Sequence, residues 1–173
     1  MKKTLKNIVC LLFLFLAFSL NINAQQGFRI ETNAGVTVGD AKDFFHYTLQ
    51  GNIYYLWNVD QNIDLGLTTG ALVFLGDAAE DYCIGCMYDD YEPELYIPIA
   101  IAGRVNLSNR FAVGLDLGYA YFVHIFYSGG GFYLRPVINY NFNKKLALTG
   151  SYLNINESGF NSSSVNLGVN FGF

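Results

Sequence analysis

The sequence closes on the stretch SSSVNLGVNFGF, positions 162–173, in which large apolar residues alternate with small or polar ones from Val165 onward. Successive side chains of an extended chain point to opposite faces, so the apolar residues share one face. That face carries Val165, Leu167, Val169, Phe171 and Phe173. A period of two predicts a β-strand with one apolar side.

The same period extends back through the chain to residue 28. The alternation predicts eight strands at 28–38, 45–57, 63–74, 95–105, 111–123, 132–140, 146–154 and 162–173. Short polar turns alternate with longer or glycine-rich links, which predicts an all-β, antiparallel, up-and-down barrel of eight strands. Transmembrane barrels show this asymmetry between short periplasmic turns and long external loops.

Composition indicates which face of each strand meets lipid. Charged residues make up 14% of the chain and aromatic residues 17%, against about 25% charged residues in soluble domains. The bulky faces of the strands carry no charged residue. The opposite faces consist of small or polar residues and six charged ones, which we expect to form a structural network in the lumen. These residues are Arg29, Glu31, Asp64, Arg104, Asp116 and Arg135. The alternative is a barrel whose apolar faces point inward, that is, a soluble periplasmic lipocalin-like binding barrel.

Pro98 and Pro136 each remove a backbone donor, which predicts a bulge or a position near a rim.

The chain end carries a family resemblance. Asn166, Gly168, Phe171 and Phe173 match the four positions of the terminal assembly signal of outer-membrane proteins. With the eight alternating strands, residues 25–173 resemble the small OmpA/OmpX-like outer-membrane β-barrel family, porin-like proteins of the Gram-negative cell envelope. The resemblance implies a monomer that is embedded in outer-membrane lipid after recognition by the barrel assembly machinery.

The first 24 residues predict an export signal. Lys2, Lys3 and Lys6 precede an apolar run over residues 8–20, and Ala24 offers a small residue for cleavage. We therefore expect a cleaved signal peptide at 1–24, a barrel domain at 25–173 and an outer-membrane location. An uncleaved anchor is the alternative, although the run is short for a helical span of about 20 residues.

The long link at 75–93 is acidic, and the whole chain has a formal net charge of −4, which argues against a nucleic-acid partner. We expect this loop to lie outside the cell as a candidate surface for an extracellular ligand. Cys83 and Cys86 predict a small disulfide within it, with metal or redox chemistry as alternatives. Calcium binding by the loop acids is a further alternative, but no calcium-loop motif is present.

Two histidines are the remaining candidates for chemistry. A hydrolase-like site would need a serine, a histidine and an aspartate. The serine would be Ser128, the histidine either His46, which is predicted to point inward, or His124, and the aspartate either Asp43 or Asp64. No local motif specifies such a site. The sequence therefore predicts no catalytic, cofactor or metal site, and a non-enzymatic protein with a structural or surface-binding role. A lipid-modifying outer-membrane barrel enzyme is the alternative. We expect the lumen to be filled by side chains, as in other eight-stranded barrels.

Overall fold

The computed structural model describes residues 27–76, 93–123 and 128–173. The strands of this part of the chain are β1 (Phe28–Gly39), β2 (Phe45–Asp60), β3 (Ile63–Gly76), β4 (Glu94–Asn106), β5 (Phe111–Val123), β6 (Ser128–Asn141), β7 (Leu146–Glu157) and β8 (Phe160–Gly172). A single 3-10 turn, Asp40–Asp43, links β1 to β2. Within the described ranges, no helix is both long enough and apolar enough to cross a bilayer.

The strands form one closed sheet. Each strand pairs antiparallel with the next, and β8 returns to β1, where Ile30 lies opposite Phe171 and Val36 opposite Val165. Closure gives every strand two neighbours, so no edge is left with unpaired backbone groups. The predicted eight-stranded, antiparallel, up-and-down barrel is confirmed.

Burial alternates along the strands as the period of two predicts. In β4, Ile99 is 56% exposed on the outer face, while the neighbouring Ala100 is 3% exposed on the inner face. Exposed valine, leucine, isoleucine and aromatic side chains cover the outside on every strand, whereas buried polar and charged side chains line the inside. A water-soluble barrel would show the reverse distribution. The outward sense of the apolar faces is therefore confirmed.

The two prolines are accommodated by gaps in strand pairing. The pairing of β3 with β4 stops at Thr69↔Ile99 and resumes at Leu72↔Tyr96 in the same register, so it omits the residues around Pro98. The pairing of β6 with β7 shows the same kind of gap around Pro136. Since proline has no N–H to donate, each ring interrupts one ladder locally without a change of register. Of the two expected settings, a bulge or a position near a rim, no bulge forms; Pro98 is the fifth residue of β4, and Pro136 lies well inside β6.

The start of β2 differs from the prediction. Phe45 was expected on the lipid face and His46 on the inner face, but Phe45 is 5% exposed inside the barrel and His46 is exposed. The pairing of β2 with β3 shifts register between Phe45 and Tyr47. A shift of one residue exchanges the two faces of a strand. Phe45 therefore points into the barrel and His46 points outward.

Candidate functional site

A polar cluster fills the middle of the lumen. The Arg135 guanidinium, on β6, forms an ion pair with Glu31 on β1 and donates to the Tyr54 hydroxyl on β2. Its Nη1 also lies 3.2 Å from Oδ2 of Asp116, and its Nε donates to the Ser151 hydroxyl over 3.2 Å. One buried guanidinium thus connects four strands across the barrel axis.

The same cluster includes a second arginine. Arg104 on β4 pairs with Asp116 on β5, with Nη1 2.6 Å from Oδ1, and its guanidinium carbon lies 5.2 Å from the ring centre of Tyr54. Tyr54 donates to Oδ2 of Asp116 over 3.2 Å. We call Glu31, Tyr54, Arg104, Asp116 and Arg135 the lumen network. Its two carboxylates and two guanidiniums balance in formal charge, which offsets the cost of burying each ion.

Amide and hydroxyl groups satisfy the remaining acceptors of Glu31. Asn33 donates to Oε1 over 2.9 Å, whereas Asn170 and Thr149 donate to Oε2 over 3.0 and 3.3 Å. These donors come from β1, β7 and β8, so both carboxylate oxygens are held from several directions. A carboxylate in such a setting is rigidly placed, and the network blocks the lumen at this level.

The six charged residues expected in the lumen occupy two levels. Glu31, Arg104, Asp116 and Arg135 belong to the lumen network, but Arg29 and Asp64 lie nearer the short turns. There they line a recess that is open to solvent and whose wall also includes Tyr54, Arg104 and Asn106. Arg29 donates to Asn170 over 3.3 Å, while Asp64 accepts from Asn58 and Asn106, each over 2.9 Å.

An apolar plug fills the lumen on the other side of the network, toward the long links. Its ring contacts run from Phe45 to Phe74 and from Phe74 to Tyr96, with centroids 5.9 Å apart in both pairs. Ala41 of the 3-10 turn packs on it. We define the apolar plug as Phe45, Leu72, Phe74, Tyr96, Tyr133, Leu153 and Ile155, all buried. Sequence reasoning missed this plug, although Leu72 and Phe74 share the inward parity of Asp64 and Thr68.

Exposed and half-buried aromatic rings form two belts on the outside, with Tyr55, Trp57 and Tyr140 half-buried. The belt near the short turns contains Phe28, Tyr55, Trp57, Phe111, Tyr140 and Phe171, and the belt near the long links contains Tyr47, Tyr119, Tyr121, Phe132 and Tyr152. On β2, β5 and β6 the belts are eight residues apart. Eight residues span about 26 Å along a strand. In a barrel whose strands are tilted by about 40°, this corresponds to a height of roughly 20 Å along the axis. The height is close to the apolar band of about 25 Å in transmembrane barrels.

The structure divides the candidate residues for chemistry between the two ends of the barrel, so an arrangement that uses Asp64 is not formed, and Ser128 begins β6 at the long-link end. Asp43 and His46 lie at the long-link end, whereas Asp64 lies at the opposite end of the barrel. Residues 1–26, 77–92 and 124–127, and with them Cys83, Cys86 and His124, fall outside the described ranges. Among the described residues, no group of three or more histidine, cysteine, aspartate or glutamate side chains is arranged to hold a metal.

Comparison with known proteins gives a result for structure alone. No protein-family model matches the sequence, and no curated protein matches it. The crystal structure of Ail, the attachment invasion locus protein of Yersinia pestis, aligns with a TM-score of 0.55 at 11% identity, covering 85% of this chain and 97% of Ail. The N-terminal β-barrel domain of Pseudomonas aeruginosa OprF gives 0.52 at 14% identity, covering 87% and 100%.

A de novo designed transmembrane β-barrel also aligns, with a TM-score of 0.54 at 10% identity, covering 87% of this chain and 98% of the design. At such identities the likeness concerns the fold. The chain therefore has the fold of the small, eight-stranded, OmpA/OmpX-like outer-membrane β-barrels.

Proposed function

We propose that the protein is an integral outer-membrane β-barrel with a structural or surface-binding role rather than a catalytic one. The observation that carries this proposal is the continuous apolar outer surface between two aromatic belts, set against an interior of paired charges. A surface of this extent on a soluble protein would lead to association, because soluble monomers rarely expose large apolar patches. In lipid it is the stable arrangement.

Fractionation of cells that express the full chain tests the location. We expect the protein in the outer-membrane fraction, released by detergent and not by salt or alkaline wash, since its outer face is apolar over about 20 Å of height. The export signal proposed at 1–24 predicts a mature protein shorter than the translated chain. Recovery of folded protein from a detergent-free periplasmic extract would contradict the membrane assignment and favour the soluble binding barrel.

For surface binding, the supported site is the long-link end, where the acidic loop 75–93 leaves the barrel. Ail has been crystallised with the heparin analogue sucrose octasulfate, a polyanion. In this chain, the sequence around that loop carries Asp77, Glu80, Asp81, Asp89, Asp90, Glu92 and Glu94. Like charges repel, so we propose that the acidic loop binds a neutral or cationic extracellular ligand. We also propose that a Cys83–Cys86 disulfide cross-links this loop.

We further propose that Asn166, Gly168, Phe171 and Phe173 form an assembly signal for the barrel machinery. Phe173 donates its backbone N–H to the Phe28 carbonyl over 3.1 Å, and the two rings lie 6.1 Å apart, so it extends the seam between β8 and β1. A Cβ on Gly168 would overlap the Asn33 amide oxygen. Two of the four signal positions thus also have a role in closing the barrel.

Deletion of Phe173 distinguishes a role in barrel assembly from a role in the stability of the folded barrel. We expect a several-fold lower yield of inserted protein in cells, while the purified variant refolded in detergent keeps the barrel, since the deletion removes one seam hydrogen bond worth about 1 kcal/mol. Immunoblots of membrane fractions measure the yield, and Phe142→Ala, an exposed turn phenylalanine, is the control. Equal insertion of the deletion variant and the parent would reject the signal.

A further inference from the structure

The exposed cations of the described residues are unevenly distributed between the two ends of the barrel. Lys42 lies at the long-link end, whereas Arg110, Lys144 and Lys145 lie in the short turns β4–β5 and β6–β7. We call these last three residues the basic turn face. The acids at the same end are engaged locally: Asp64 accepts from two asparagines, and Asp60 accepts the backbone N–H of Gln61 over 2.7 Å.

Side-chain to backbone hydrogen bonds hold these turns in place. The Ser108 hydroxyl accepts from the backbone N–H groups of Arg110 and Phe111, over 3.2 and 3.1 Å. The Asn143 amide oxygen accepts from those of Lys145 and Leu146, over 2.8 and 2.9 Å. Such bonds are typical of tight polar turns, and they fix the points from which the cationic side chains extend.

Backbone bonds also join neighbouring turns edge to edge. Asn141 donates to the Arg110 carbonyl and Gly172 donates to the Lys145 carbonyl, both over 2.7 Å. The β4–β5 turn, the β6–β7 turn and the end of β8 therefore form one continuous rim. The three cations belong to two adjacent turns of that rim, while Asp60 belongs to the third short turn.

Apolar side chains reach the level of the same turns. Leu107 is 65% exposed and Phe142 is 60% exposed, and both continue the outward rows of their strands past the last paired residues. Val59, next to the last residue of β2, and Phe173, directly after β8, are also exposed. Apolar side chains therefore cover the barrel up to the turns, and the cations follow Leu107 and Phe142 by two or three residues. Lysine and arginine at such a depth extend along apolar surface and place their charge among headgroups.

We propose that the basic turn face binds the headgroups of anionic phospholipids in the leaflet on the short-turn side. This inference rests on the membrane location proposed above. Arginine offers paired donors that match a phosphate, and lysine adds a mobile point charge. The apolar collar formed by Leu107 and Phe142 lies where acyl chains of the same lipid molecules would pack. Charge and apolar surface together fit an amphipathic anion and not a free phosphate ion.

Native mass spectrometry of the full-length, folded protein from mixed micelles tests this proposal. The micelles contain phosphatidylglycerol and phosphatidylcholine in equal amounts, and we expect selective retention of phosphatidylglycerol. Each cation near an anionic surface contributes about fivefold in affinity, so the triple variant Arg110→Gln, Lys144→Gln, Lys145→Gln should lose the preference entirely. Lys42→Gln, a matched change at the other end, should keep it, and 1 M salt should weaken it because screening then acts over about 3 Å.

Three outcomes would overturn the proposal: equal retention of both lipids by the parent protein, unchanged preference in the triple variant, or displacement of the lipid by millimolar inorganic phosphate. A gel shift between heated and unheated samples reports whether the barrel is folded in each preparation. A folded barrel without lipid preference rejects the lipid site and leaves the membrane location standing. A protein that stays folded without detergent rejects the membrane location as well.

Discussion

Replacement of Arg135 by methionine is expected to destabilise the barrel by about 3–5 kcal/mol, the cost of breaking a buried ion pair from one side. Arg135 is fully buried and contacts Glu31, Tyr54, Asp116 and Ser151. The variant leaves the Glu31 carboxylate without a cationic partner in the interior. Urea-induced unfolding in zwitterionic detergent, followed by tryptophan fluorescence of Trp57, measures the change.

Two controls make this result specific. Arg110→Met changes the same residue type at an exposed turn position, where surface substitutions shift stability by about 0.5 kcal/mol or less. The double variant Arg135→Met, Glu31→Gln removes both charges, and Asp116 keeps Arg104, so we expect it to recover part of the loss. An Arg135→Met protein as stable as Arg110→Met would show that the lumen network contributes nothing to stability.

Truncation of Phe74 to alanine in the apolar plug is expected to cost about 3–5 kcal/mol, as for other buried phenylalanines. Phe74 is completely buried between Phe45 and Tyr96, so its removal leaves a cavity that its neighbours fill only in part. Phe132→Ala is the matched control, because Phe132 is 53% exposed on the outside and lipid can occupy the vacated space. Equal losses in the two variants would argue against a packed plug.

The same Phe74 variant tests how the lumen is sealed. In planar bilayers we expect no sustained channel from the parent protein, since an eight-stranded interior is narrow enough for side chains to fill. The Phe74→Ala variant should also remain closed, because the lumen network still crosses the axis below the plug. A sustained open channel in the parent would contradict a sealed barrel, and one in the variant would show that the plug alone closes it.

The strands and their outward faces are predictable because both depend on local alternation, and the antiparallel order follows from the alternation of short turns with longer links. The last strand illustrates this: the row from Val165 to Phe173 was read from nine consecutive residues, and its outward sense is confirmed. The depth of a charged side chain in the lumen is also partly predictable from its position along the strand. Asp64 is the second residue of its strand, close to a short turn, whereas Asp116 lies in the middle of β5. The same rule fails for Arg104, which lies two residues from the end of β4 and still belongs to the lumen network as well as to the wall of the recess.

The apolar plug was not predictable in the same way. Phe45, Phe74 and Tyr96 belong to three strands, and their contact depends on the registers of two strand pairs and on a shift in one of them. No local pattern reports such a shift, so the inversion of Phe45 and His46 could not be read from the sequence. The bond between Arg135 and Glu31 likewise joins residues 104 positions apart.

The seam between β1 and β8 has a consequence for the order of events in folding. Seven of the eight strand pairs join neighbours in sequence, but the eighth places Arg29 opposite Gly172, 143 residues later. Contacts between distant residues form late, because the entropy of closing a long loop must be overcome before they contribute. The first strand can pair with β2 early, but it lacks its second neighbour until the last strand has been made. Closure of the barrel must therefore follow the synthesis of β8.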